Sequence, residues 1–119
     1  MSLSAHTFVY DADGGHNFLE DPGHGRELAG FESTRTRIWG SETIRALGSR
    51  FFPRLDGGDL CVERGEIDEF LAECEVVRPN LDHVARQGGY DAGYVTQRFD
   101  NIVAAALRAK AENGGIVVW

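Results

Sequence analysis

Residues 91–119 narrow the fold most: a helical periodicity from Asp91 to Asn113, then Gly114-Gly115, then Ile116-Val117-Val118-Trp119. Val95, Phe99, Ile102, Ala106 and Ala109 recur at three- and four-residue spacing and predict one buried stripe. Ala104-Ala105-Ala106 predicts close approach to whatever this helix packs on, and Gly114 is placed as a left-handed helix cap. Chain ends are usually polar and frayed, so the apolar run 116–119 is expected to be a strand filed into a sheet.

A second helix is predicted from about Glu66. Ile67, Phe70, Leu71 and Cys74 share one face, and Glu66, Glu69 and Glu73 form a stripe on the opposing flank. Pro79 ends or kinks it, helix resumes after Asn80 with Leu81, Val84 and Ala85, and Gly88-Gly89 breaks the chain. Ser41 is expected to cap a short helix from Glu42 to about Leu47, closed by Gly48. Strands are expected at Thr7–Tyr10, ahead of the turn Asp11–Gly15, and at Thr34–Trp39, with Arg35 and Arg37 on one face. A further strand is expected at Asp59–Glu63, with Leu60 and Val62 on one face. The expected architecture is a single α+β domain over residues 1–119. A mainly antiparallel sheet carries the two principal helices on one face, with the 59–63 and 116–119 strands central or near-central.

A chain of 119 residues sustains one hydrophobic core. No apolar run approaches the roughly 18–20 residues of a bilayer span, and residues 1–6 have no leader pattern, so no membrane contact and a cytoplasmic location are expected. Cys61 and Cys74 fall at apolar positions and read as small core residues. The formal charge is −7, with acids gathered at 11–32 and 63–75 around a locally basic stretch carrying Arg35, Arg37, Arg45, Arg50 and Arg54. Such a balance argues against nucleic acid, whose binding depends on neutralising phosphates, and suits a protein partner with a basic surface.

Motifs for chemistry are sparse. Asp11-Ala12-Asp13 begins like a calcium loop, but Gly15, His16 and Pro22 occupy positions where that loop needs a ligand oxygen, glycine and glutamate. It therefore reads as a polar turn. His6, His16, His24 and His83 lack metal-ligand spacing, and Ser33, Ser41 and Ser49 lack a nucleophile elbow. No glycine run has a nucleotide-binding pattern. No catalytic residue, metal or cofactor is assigned.

Two surfaces remain as partner-binding candidates: the Glu66/Glu69/Glu73 stripe and the edge formed by Arg35, Arg37 and Trp39, since Arg and Trp are enriched at interface hot spots. Trp39 has a second reading as a core residue. The succession Ile44-Arg45-Ala46-Leu47-Gly48, Phe51-Phe52-Pro53-Arg54-Leu55, Asp59-Leu60-Cys61-Val62, Ile67-Asp68-Glu69-Phe70-Leu71-Ala72-Glu73 and the closing Gly115-Ile116-Val117-Val118-Trp119 resembles small uncharacterised bacterial proteins. Some of these are immunity proteins of polymorphic toxin systems. The resemblance spans residues 41–119 and rests on general pattern. It implies a compact acidic protein that masks a toxin's active site without catalysis of its own. The expected function is thus a small non-enzymatic binding protein of immunity type, monomer or homodimer. The alternative is a small-molecule-binding protein or enzyme whose pocket lies near the N-terminal loops, where His16 and His24 accompany Asp11, Asp13, Glu20 and Asp21.

Overall fold

In a computed structural model describing residues 2–119, strand β1 (Ser2–Tyr10) organises the sheet. Leu3 and Ala5 enter the helix-covered core and Thr7 Oγ1 donates to the Ala105 carbonyl at 2.9 Å, while His6, Phe8 and Tyr10 face the other side. This alternation is what a strand with one helix-covered face requires. Strands β2 (His16–Phe18) and β3 (Leu28–Phe31) pair antiparallel along the same edge of β1, β2 with residues 8–10 and β3 with residues 2–4. On its other edge β1 pairs with β5 (Gly115–Val118), which in turn pairs with β4 (Leu60–Val62). The order is β2-β1-β5-β4, with β3 beside β1.

β5 is therefore central, as expected, whereas β4 closes the sheet rather than lying inside it. Its outer edge is covered by a side chain: Arg54 Nη1 donates to the Cys61 carbonyl at 3.1 Å. After Val62 the chain turns at once into a reciprocal cap between Glu63 and Glu66 that starts the next helix.

Helix α1 (Glu42–Arg45) is capped by Ser41, whose Oγ accepts from the Ile44 N–H at 3.2 Å. Helices α2 (Ile67–Val77) and α3 (Leu81–Gly88) are joined by a 3-10 turn, Arg78–Asn80, around Pro79. Helix α4 (Ala92–Ala111), capped by Asp91, lies across β1, β3 and β5, and α2 and α3 pack against it. The α+β class and helix-covered antiparallel sheet are as the periodicity predicts. The core gathers Trp39, Phe52, Phe70 and Phe99, with ring centroids 5.3 Å apart for Trp39–Phe52 and Phe52–Phe70 and 5.9 Å for Phe52–Phe99.

The expected strand at 34–39 is instead a π-helical turn, Arg35–Trp39, with the Gly40 N–H bonded to the Arg35 carbonyl at 2.9 Å. Its buried residues explain the difference. Thr34, Ile38 and Trp39 all enter the interior, a four- and five-residue spacing that a strand would place on both faces. The end of α4 also departs from expectation. Asn113, at φ 55°, takes the left-handed position, and the N–H of Gly114 closes on the Ala109 carbonyl at 2.8 Å. Gly114 is needed for a different reason: a Cβ there would stand 1.9 Å from the Phe8 carbonyl oxygen. Among the described residues no helix is long and apolar enough to cross a membrane, and both cysteines are free thiols.

Candidate functional site

The acidic stripe of α2 is occupied by its own chain. Glu73 accepts the Ser49 hydroxyl and the main-chain N–H groups of Arg50 (2.7 Å), Phe51 and Phe52 (both 3.1 Å). Glu69 pairs with Arg50 at 2.9 Å, and Glu66 with Arg54 at 3.4 Å. The two charge blocks seen in the sequence thus meet each other, and the segment 49–55 is folded down on α2. There Phe51 and Phe52 reach Phe70, and the Arg54 guanidinium lies 4.5 Å above the Phe51 ring.

Arg35, Arg37 and Trp39 do not form one edge. Arg35 donates to Glu32 at 2.8 Å and to the Leu55 and Gly58 carbonyls, tying the π-helical turn to the 55–58 loop. Arg37 is exposed. Trp39 is fully buried, its indole N–H donating to the Ala29 carbonyl at 3.0 Å, so it is withdrawn from any docking surface and belongs to the core.

The N-terminal histidines separate as well. Asp11 Oδ1 accepts from the N–H groups of Asp13 and Gly15 at 2.9 and 2.8 Å, which makes residues 11–15 the polar turn expected. His24 is exposed in a left-handed turn conformation. His16 stacks on Phe8, with centroids 3.8 Å apart, and stands 3.6 Å from Glu63. Glu63 also takes the Tyr10 hydroxyl and, at 3.8 Å, the Cys61 thiol. Burial raises the pKa of both Tyr10 and Cys61, and Glu63 raises them further, so each stays protonated and donates. A thiol held neutral is a poor nucleophile. This knot pins β4 to the β1–β2 hairpin. Among the described residues, no three His, Cys, Asp or Glu side chains are placed to hold a metal ion.

His6 has another setting. It bonds Asp21 at 2.9 Å beside a pocket of about 170 Å³, which takes Glu20 and Asp21 from the N-terminal loops but not His16, His24, Asp11 or Asp13. One wall is β1 at Ala5, His6 and Thr7; a second is the strap Leu19–Pro22 with Arg26; the third is α4 at Asn101, Ala104, Ala105 and Arg108. The pocket exists because β2 and β3 share one edge of β1 without meeting. Ser4 exchanges both main-chain bonds with Trp119, the residue after β5, so Ala5 and Thr7 direct theirs to the opposite edge. On that edge the Ala5 N–H goes to the Glu27 carbonyl (2.7 Å) and the Thr7 carbonyl accepts from the Leu19 N–H (2.9 Å). The Ala5 carbonyl and the Thr7 N–H fall in the gap between the two strands and take no main-chain partner there among the described residues. Buried main-chain groups are almost always hydrogen-bonded, so this donor and acceptor are available to an occupant.

The strap is held by cations. Arg26 donates to the Pro22 and Gly23 carbonyls at 2.7 and 3.2 Å, and Arg108 to the Glu20 carbonyl at 2.7 Å. Asn101 Nδ2 fixes the following loop through the Gly25 and Leu28 carbonyls at 3.3 and 2.9 Å. A larger but open trough runs between α2 and α4, flanked by the ion pairs Asp68–Lys110 (2.9 Å) and Arg78–Asp100 (2.8 Å). Comparison with protein-family models, with curated proteins and with solved structures returned no match to this chain.

Proposed function

We propose that this chain is a binding protein for a small, largely apolar molecule held between β1, the 19–22 strap and α4. One observation carries the reading: a recessed pocket with alanine, leucine and proline walls opens where a strand edge presents an uncommitted N–H and C=O. Small-molecule sites typically combine an apolar enclosure with a few fixed polar groups. An immunity-type inhibitor that docks through Glu66, Glu69 and Glu73 is the weaker reading, because those carboxylates hold Arg54, Arg50 and the main chain of residues 50–52.

Chemical-shift mapping with small apolar probes such as hexanol and benzene tests the proposal. The expected perturbations cluster at the amides of Thr7, Leu19–Asp21 and Asn101–Arg108, and Ala104→Trp, which fills the pocket from an exposed helix position, abolishes them. Perturbations elsewhere, or an undiminished response in Ala104→Trp, refute it.

A further inference from the structure

We propose that the ligand of this pocket is a small monocarboxylic acid with an apolar body, its carboxylate held by Arg26 and Arg108; this rests on the pocket being a binding site. The partners of the two arginines carry the argument. Six of the twelve lysines and arginines have no carboxylate within ion-pairing distance among the described residues, and of those six Arg26 and Arg108 are the two that line the pocket. They bond only to main-chain carbonyls of the strap, which leaves most of each guanidinium's N–H donors uncommitted. Two acids lie close by, but neither answers these charges: Glu20 offers Arg108 its carbonyl, and Asp21 is engaged by His6. Arginine's planar fork matches a carboxylate, and such bonds are stronger than neutral ones. The Thr7 N–H adds a third donor, while Ala5, Leu19, Pro22 and Ala104 supply apolar walls for the rest of the molecule.

The test compares hexanoate, hexanol and hexylamine, which share one apolar body, by titration calorimetry on the full chain at neutral pH. Hexanoate is expected to bind at least about tenfold more tightly than hexanol and hexylamine, with an advantage that shrinks as salt is added. Because both arginines also hold the strap, Arg26→Gln and Arg108→Gln are each expected to weaken hexanol as well, but to weaken hexanoate further, so that most of its advantage over hexanol is lost. Equal binding of hexanoate and hexanol, a preference for hexylamine, or parallel loss of hexanol and hexanoate in both variants overturns the carboxylate assignment and leaves the pocket reading standing. If none of the three probes binds and Ala104→Trp changes nothing, the pocket reading fails and the assignment with it.

Discussion

Replacing Glu73 by Gln should unfold this protein more readily than any other single change on the α2 flank. The carboxylate receives three consecutive main-chain N–H groups and the Ser49 hydroxyl, and those bonds seat Phe51 and Phe52, both buried. Glutamine keeps one acceptor oxygen but turns an NH2 group toward donors. Hydrogen bonds to a charged acceptor contribute about 1.5–3 kcal/mol each, and their sum is reduced because the site is only half-buried and its bonds are not independent. A loss of about 2 kcal/mol is the expected net effect. For a chain of 119 residues each kcal/mol moves the midpoint by roughly 3–5 °C, so a drop of about 6–10 °C is expected in thermal unfolding followed by circular dichroism. Glu75→Gln, at an exposed position on the same helix, serves as the reference and should stay within about 0.5 kcal/mol of the parent. If Glu73→Gln matched Glu75→Gln, the carboxylate would be a solvated surface group, and its role as the clamp for residues 49–52 would be wrong.

Three further outcomes are expected. Gly114→Ala forces a Cβ against the Phe8 carbonyl and should destabilise by several kcal/mol, about the scale of a forced core overpacking, whereas Asn113→Gly should be neutral or slightly stabilising; urea unfolding compares them. Trp39→Phe removes the indole donor from the buried Ala29 carbonyl and part of the Phe52 contact, so a loss of about 2–3 kcal/mol is expected in the same assay. Cys74 makes stability depend on alkaline pH. Burial, and then the charge of Glu73, push its thiol from 9.0 up to about 12, so the folded state retains a proton that the unfolded chain releases. This contribution is complete below pH 9.0 and is lost as pH rises toward 12, at roughly 1.4 kcal/mol per pH unit. Urea midpoints measured from neutral pH to about pH 11 should therefore fall more steeply in the parent than in Cys74→Ala.

Long periodic elements were legible and short context-dependent ones were not. The stripes of α2 and α4 and the apolar run of β5 each repeat long enough to declare a buried face, and Ser41 declares its cap chemically. β2 is three exposed residues in a turn-rich region, and only the neighbouring edge of β1 makes it a strand. Residues 34–39 mimic alternation over a few positions, and tertiary burial of Ile38 beside Trp39 decides for a helical turn. The glutamate stripe was visible, but its partners at 49–54 are fixed by folding and carry no periodic signal. The pocket left still less trace. It arises from a gap between two strand pairings, and its sequence hints are the small Ala104-Ala105 pair facing Thr7 and the acids Glu20 and Asp21 of the N-terminal loops.

The placement of β5 has a consequence for incomplete chains. It lies between β1 and β4, whose residues are separated from it by about a hundred and about fifty positions respectively, so the sheet joins segments that loop closure brings together late. A product ending before residue 115 would keep helix α4 but present two strand edges facing a slot one strand wide, lined on one side by Leu3, Ala5 and Leu60. Such paired open edges template association with any extended segment of similar pattern. The Gly-Gly-Ile-Val-Val-Trp sequence is thereby the segment that shields this protein from sticking to itself, and as a synthetic hexapeptide it is the natural candidate to restore a chain shortened at residue 113 by strand complementation.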